Sequence, residues 1–305
     1  MSLAQATQAA VLLILAAGPS TPAVGAERIG VFLRCTGEED PRKALAAVRS
    51  LGLRRVQVSR LADRYYTPEG ARELAGLLTE AGVTSDAVVA VFDGEDYRDQ
   101  EAVLRTVGFR PAGVRAPRLA YARRCVDLAA AIGTKVVTFH VGFLPRQAAD
   151  PDYRAMLQAV SDVATYAAGK GVTVSLETGQ ETAEELAAFL DAVKGPRVGV
   201  NFDTANLVLY GLDQPARALE KLLGRVTSVH VKDGLPPAAP GQLGREARLG
   251  EGRAEVAECL RILERSGFAG PLIIENYVWR DLQTRPLDEL ARARDFIRAQ
   301  LARKD

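Results

Sequence analysis

The chain has 305 residues, 48% of them hydrophobic and 25% charged, which is enough apolar material for one large core or two modest ones. Its formal net charge of +1 offers no electrostatic basis for binding nucleic acid or an anionic membrane, and its arginines interleave with Asp and Glu as on solvated helix faces. Cys35, Cys125 and Cys259 lie far apart without a CxxC pair, which argues against both a disulfide framework and a zinc knuckle.

Residues 1–26 differ from the rest. AAVLLILAAG followed by PSTPAVGA has the length and small-residue ending of a signal peptide, with cleavage expected after Ala26 and an exported or periplasmic product. MSLAQATQ carries no Lys or Arg, so the alternative is an N-terminal extension on a cytoplasmic protein. The apolar run is too short for a membrane span.

From residue 27 to 305, strand and helix signals alternate. RIGVFL is strand one, followed by the helix PRKALAAVRSLG; RVQVS is strand two, followed by TPEGARELAGLLTEAG, a helix opened by a Thr cap and a first-turn Pro. SDAVVAVF is strand three. DGEDYRDQEAVLRTVGFRPAG reads as a long irregular stretch before the helix APRLAYARRCVDLAAAIG and strand four, KVVTFH. A helix near 153–170 precedes strand five, VTVSLE. ETAEELAAFLDAV precedes strand six, RVGVNFD; QPARALEKLLG precedes strand seven, VTSVHV; AEVAECLRILERSG precedes strand eight, PLIIE; and PLDELARARDFIRAQLA closes the chain. Cys125 and Cys259 fall within helical patterns and read as buried thiols. Cys35 follows the first strand and reads the same way, although it could border a site.

Helices of this length between strands imply parallel βαβ units. Eight such units predict a single-domain α/β fold, the (β/α)₈ TIM barrel, whose usual size is about 250 residues. A doubly wound sheet is the alternative, but VFLRCTGEED after strand one lacks the GxGxxG phosphate loop expected there.

Barrel sites lie at the C-terminal ends of the strands. Four late strands end on groups that are costly to bury unpaired: Glu177, Asp203, His230 and Glu275. The two-residue strand period places Ser175 with Glu177, Asn201 with Asp203, Ser228 with His230, and Thr138 with His140, all facing the axis. Three carboxylates and one imidazole suit one divalent metal ion, Mn²⁺, Mg²⁺ or Co²⁺ before Zn²⁺. The competing interpretation is an inward polar network tied together by Arg and Lys.

LETG, NFDTANLVLYG, SVHVKD, the GEG glycines and GFAGPLIIE, with FDGEDYRD, RTVGFRP and FHVGF upstream, resemble the sugar phosphate isomerase/epimerase superfamily. This xylose isomerase-like barrel group also includes ketose 3-epimerases and the endonuclease IV type of apurinic-site nuclease. The resemblance spans about residues 28–300. It implies metal ligands at Glu177, Asp203, His230 and Glu275, with the two glutamates as catalytic acid–base groups on opposite faces of the substrate. Epimerases often carry a His three residues after the metal-binding Asp; Asn206 stands there in this chain. An Arg common shortly after the metal His is also absent, since LPPAAP occupies that loop.

The expected activity is metal-dependent sugar isomerisation or epimerisation by proton abstraction alpha to a carbonyl through a metal-stabilised enediolate. His140, Asn206 and Lys232 are candidate substrate-binding groups, and Tyr277 and Trp279 candidate stacking rings. The turn LGEGRAEV is expected to supply backbone flexibility beside the site. A lyase or hydrolase of a keto-sugar or glycoside on the same scaffold is the alternative, since the same proton abstraction starts a β-elimination. A non-catalytic sugar-binding barrel and a nuclease-like phosphodiesterase rank below it. The expected partner is a small sugar or sugar derivative, with no nucleic acid; the barrel could also form a homo-oligomer.

Overall fold

The computed structural model describes residues 25–303. Most of the leader expected over 1–26 therefore lies outside the described residues. Eight parallel strands close into a barrel, as the alternating signals predict. The first seven are β1 (Ile29–Phe32), β2 (Arg55–Ser59), β3 (Thr84–Val89), β4 (Val136–Phe139), β5 (Thr173–Glu177), β6 (Gly199–Asp203) and β7 (Val226–Val231). A two-stranded antiparallel hairpin of β8 (Asp233–Leu235) and β9 (Arg245–Ala247) then intervenes. Strand β10 (Leu272–Ile274) pairs with both β7 and β1 and completes the barrel.

Helices cover the outside. They are α1 (Pro41–Ser50), α2 (Pro68–Ala81), α3 (Gln100–Thr106), α4 (Arg115–Ala131), α5 (Pro151–Ala168) and α6 (Ala183–Ala192). After β6 come α7 (Asn206–Leu209) and α8 (Pro215–Leu222), then α9 (Val256–Arg265), α10 (Val278–Leu282) and α11 (Pro286–Leu301). Local chemistry sets several starts. The Thr67 hydroxyl accepts the Gly70 N–H at 3.1 Å ahead of Pro68, and Thr182 with Glu185 forms a reciprocal capping box at α6. Among the described residues no helix is long and apolar enough to cross a membrane.

The period-two alternation divides each late strand between two environments. Val174, Leu176, Val200, Phe202, Val229 and Val231 are buried in the apolar layer, while Ser175, Asn201 and Ser228 are buried polar residues on the other register. Gln57 on β2 bonds both Ser228 and His230 on β7. Because β1 and β10 separate those strands in the barrel order, these bonds cross the interior. The β6–β7 register shifts after Val200, so Thr227 is passed over and Asn201 faces Ser228 and Asp203 faces His230. That bulge brings the Asp and His level with one another.

Three parts of the chain differ from expectation. The stretch expected to be irregular after strand three contains α3, capped by the Asp99 carboxylate on the Ala102 N–H at 2.7 Å; seven residues are too few for a clear helical period. The β8–β9 hairpin falls where a loop is expected, because three-residue strands carry no detectable alternation. The GEG turn is held tightly rather than flexible. One Asp233 carboxylate accepts the backbone N–H groups of Gly234, Gly250, Gly252 and Ala254 at 2.8–3.1 Å.

A Cβ at Gly252 would meet Asp233 Oδ1 at 2.0 Å. Gly252→Ala is therefore expected to destabilise the chain by about 1–3 kcal/mol, the usual cost of overpacking a tight site. Urea unfolding measures it, and an unchanged midpoint would show that the loop can give way.

Candidate active site

The four strand-end groups meet at one point. His230 Nδ1 lies 3.1 Å from Glu177 Oε1, 3.0 Å from Glu275 Oε2 and 3.8 Å from Asp203 Oδ2. One ligand atom from each of the four residues falls within 4.8 Å of all the others. Glu177 ends β5, Asp203 ends β6, His230 lies on β7, and Glu275 follows the last residue of β10.

Each group is oriented from behind. Asp203 Oδ1 accepts the Ala205 and Asn206 N–H groups at 2.8 Å, which leaves Oδ2 without a hydrogen bond of normal geometry. Its backbone is stapled to β5 by the Thr178 hydroxyl, which accepts the Asp203 N–H at 2.8 Å. The Gln57 amide donates to Ser228 Oγ at 3.3 Å, and Ser228 donates in turn to Asn201 Oδ1. That chain leaves Gln57 Oε1 to face His230 Nε2 at 2.7 Å. An acceptor at Nε2 requires a proton there, so in the neutral ring the Nδ1 lone pair is the one aimed at the carboxylates.

Crowding like charges in a buried site has measurable consequences. Burial by itself would lower the His230 pKa, but Glu177 and Glu275 outweigh it and raise the ring to about 10. Burial pushes Asp203 upward against the pull of Lys232. Burial likewise opposes ionisation of Glu275, yet Lys232 and His230 hold it well below the usual carboxylate range. Glu177 is also lowered, by His230 and His140. The Lys232 ammonium is kept charged by Asp203 and Glu275, 3.2 and 3.0 Å from its Nζ. Three carboxylates thus face two cationic side chains. Among the described residues, Asp203 Oδ2 and Glu275 Oε2 lack normal hydrogen bonds and lie beside these cations, so the donor set fits a divalent ion taking the place of the proton on His230 Nδ1.

The cluster opens into a cavity of about 670 Å³. His140, Asn206 and Lys232 all line it. His140 Nε2 lies 3.5 Å from Glu177 Oε1, its Nδ1 has no hydrogen-bond partner among the described residues, and Asn206 Oδ1 receives Lys232 Nζ at 3.3 Å. Tyr277 also lines the cavity, whereas Trp279 does not. Cys35 lies off the cavity and is buried, accepting the Asn276 N–H at 3.2 Å; Cys125 and Cys259 are likewise buried and unpaired.

Sequence reasoning passed over several residues here. Gln57 sits on the inward register of RVQVS and was legible by the same period-two rule. Glu246 comes from the unanticipated hairpin, lines the cavity, and is pushed up to about 7 by burial against the pull of Lys232. Glu95 lines the opposite side and accepts the Gly108 N–H at 3.0 Å.

The sequence pattern described as xylose isomerase-like TIM barrel matches residues 45–300. The chain belongs to that family. Among solved structures, a xylose isomerase domain protein from Planctomyces limnophilus is 34% identical, with a TM-score of 0.78 over 84% of this chain and 90% of that one. A xylose isomerase-like TIM barrel protein from Mycobacterium smegmatis in complex with magnesium shares the fold at 20% identity and a TM-score of 0.63, over 86% and 88% of the two chains. The L-ribulose-5-phosphate 3-epimerase UlaE of Salmonella typhi is 25% identical over 202 residues, 65% of this chain and 68% of its own length. The xylose isomerase-like barrel thus accounts for the architecture around the four-residue cluster.

In the turn after β5, Glu181 is buried, and among the described residues neither of its carboxylate oxygens has a normal hydrogen bond. Burial pushes it up to about 8, so the folded chain holds it neutral where the unfolded chain, near the ordinary 4.5, ionises. The stability this contributes is complete below pH 4.5 and is lost as pH rises through about 8. The melting-temperature advantage of Glu181→Gln over the parent is therefore expected to widen between those two pH values and level off above them. A constant difference would mean that Glu181 is ionised in the fold.

Proposed function

We propose that this chain is a divalent-metal-dependent sugar isomerase or epimerase that removes a proton alpha to a carbonyl. The observation that carries this reading is the meeting of Glu177 and Glu275 at His230 Nδ1 from strands separated by β6 and β7. Two ionised carboxylates reaching one small volume from different strands can address a bound substrate from two sides. The UlaE relative is by name a sugar 3-epimerase, and the M. smegmatis relative was solved with magnesium. Both support the reading.

Glu177, Asp203, His230 and Glu275 would hold the ion, which when bound supplies Lewis-acid polarisation of the substrate carbonyl and the neighbouring hydroxyl. The remaining work falls to side chains. Glu177 and Glu275, both held ionised, are the candidate base and its returning acid partner. Asp203 and His230, fixed by the Ala205 and Asn206 N–H groups and by Gln57, hold position rather than exchange protons. Asn206 and His140 present hydrogen-bonding groups to sugar hydroxyls, and Lys232 Nζ offers a cation beside the developing negative charge. Phe32, Phe139 and Leu209 line the cavity with apolar surface and limit water around the reacting carbon.

Glu177→Gln and Glu275→Gln are each expected to lower α-proton exchange of a ketose in heavy water by about 10²–10⁴-fold, the usual contribution of a positioned acid–base group. Nuclear magnetic resonance of the recovered sugar reads this directly. Exchange at the parental rate in either variant would remove that residue from the proposed mechanism, and release of a leaving group from a keto-glycoside would redefine the reaction as elimination.

A further inference from the structure

The four candidate ligands are not held alike. Glu177 and Asp203 end β5 and β6 inside the strand ladder, where Glu177 pairs with Asn201 and Asp203 with His230. His230 pairs in turn with Ile273 on β10. Glu275 falls just outside its strand, since β10 ends at Ile274, and its own N–H meets the Val231 carbonyl only at 3.4 Å, the long end of hydrogen-bond range. Its side chain is 13% exposed, against 5% for Glu177, 0% for Asp203 and 1% for His230. The ladder therefore fixes three of the groups and leaves the fourth to whatever holds the segment after β10.

That segment is held from the β8–β9 hairpin. The Glu246 carboxylate accepts the Tyr277 N–H at 2.7 Å, a short bond to a carboxylate made two residues beyond Glu275. The neighbouring backbone donors are tied less firmly. The Asn276 N–H meets the Cys35 sulfur at 3.2 Å, a weak acceptor, and the Val278 N–H is satisfied inside the segment by Asn276 Oδ1 at 2.9 Å. Glu246 stands on a firm base: it pairs with Gly234 across the hairpin, beside the Asp233 side chain that gathers four backbone N–H groups. Lys232, at the approach to the hairpin, reaches the Glu275 carboxylate at 3.0 Å. A divalent ion would compete with Lys232 for that carboxylate. Glu246 grips backbone instead, so its hold is compatible with an ion on Glu275.

We infer that Glu246 is a positioning residue for the metal centre, holding the segment after β10 so that Glu275 meets Glu177, Asp203 and His230 at one point. This rests on the metal-dependent reading and adds a residue outside the ligand set, delivered by the hairpin, on which assembly of that set depends. Partners of this kind orient a ligand without touching the ion, and their loss shows in metal affinity. The role lies in the hydrogen bond, since a neutral amide at position 246 could accept the same N–H.

The test is calorimetric titration of Mn²⁺ into the metal-stripped parent, Glu246→Ala and Glu246→Gln, at a temperature where circular dichroism shows all three folded. Glu246→Ala is expected to bind Mn²⁺ about 10–100-fold more weakly, the usual loss when an orienting partner of a metal site is removed. Glu246→Gln should recover most of that affinity. Unchanged affinity in Glu246→Ala would overturn the role. Equal losses in both variants would also overturn it, by assigning the effect to charge rather than to the hydrogen bond. The metal reading fails separately, through absence of Mn²⁺ binding by the parent. The hold on the segment is then judged by hydrogen exchange of the Tyr277 amide in the metal-free chain, which Glu246→Ala should accelerate and Glu246→Gln should leave slow; equal exchange in the parent and Glu246→Ala would overturn it there. The expected Mn²⁺ pattern without α-proton exchange in a ketose would remove the proposed reaction and keep the positioning role.

Discussion

Three carboxylates converging on one imidazole nitrogen is the interaction around which this barrel is arranged. Glu177, Asp203 and Glu275 all lie within 3.8 Å of His230 Nδ1, a crowding of like charge that a buried site cannot hold without cations. Lys232 and a protonated His230 fill that role in the protein alone. Much of the surrounding hydrogen bonding keeps these groups from turning away. The Ala205 and Asn206 N–H groups grip one Asp203 oxygen, Thr178 ties β5 to β6, and the relay from Gln57 through Ser228 to Asn201 leaves one amide oxygen to position His230.

The scaffold makes such crowding sustainable. Strand residues on the outward register bury Val, Leu and Phe beneath the helices, while the inward register stays polar toward the mouth. A register shift between β6 and β7 aligns Asp203 with His230. Asp233, next in sequence to the cavity-lining Lys232, collects four backbone N–H groups and closes the β8–β9 hairpin region over the barrel. The same hairpin delivers Glu246 to the cavity, adding an acid close to Lys232.

The barrel was legible because each of its strands and major helices carries its own period and its own stop signal; strand two, RVQVS, and strand seven, VTSVHV, match β2 and β7 residue for residue. The cluster was legible because carboxylates at the ends of apolar strands are rare unless used. His140, Asn206 and Lys232 could be tied to the same cavity by their nearness to those strand ends. The short α3, the β8–β9 hairpin and α10 were not legible, since none shows a repeat; β10 is as short, Leu272–Ile274, but its apolar run ending on a carboxylate marked it. Glu246 was lost with its hairpin. Gln57 was a different matter: its register was visible, but a single amide in a strand signals nothing until its partner across the barrel is known. The turn around Gly250 and Gly252 looked flexible because glycine permits motion, whereas here it permits close approach to Asp233.

Whether Glu177, Asp203, His230 and Glu275 hold a divalent cation is tested most directly by titrating Mn²⁺ into the metal-stripped chain and into His230→Ala, with calorimetry as the readout. The parent should bind about one ion per chain and release a proton from the imidazole as it does so, while His230→Ala should lose most of that affinity. No binding by the parent, or equal binding by the variant, would mean that the four side chains form a structural ion-pair network and that the proposed isomerase chemistry lacks its centre.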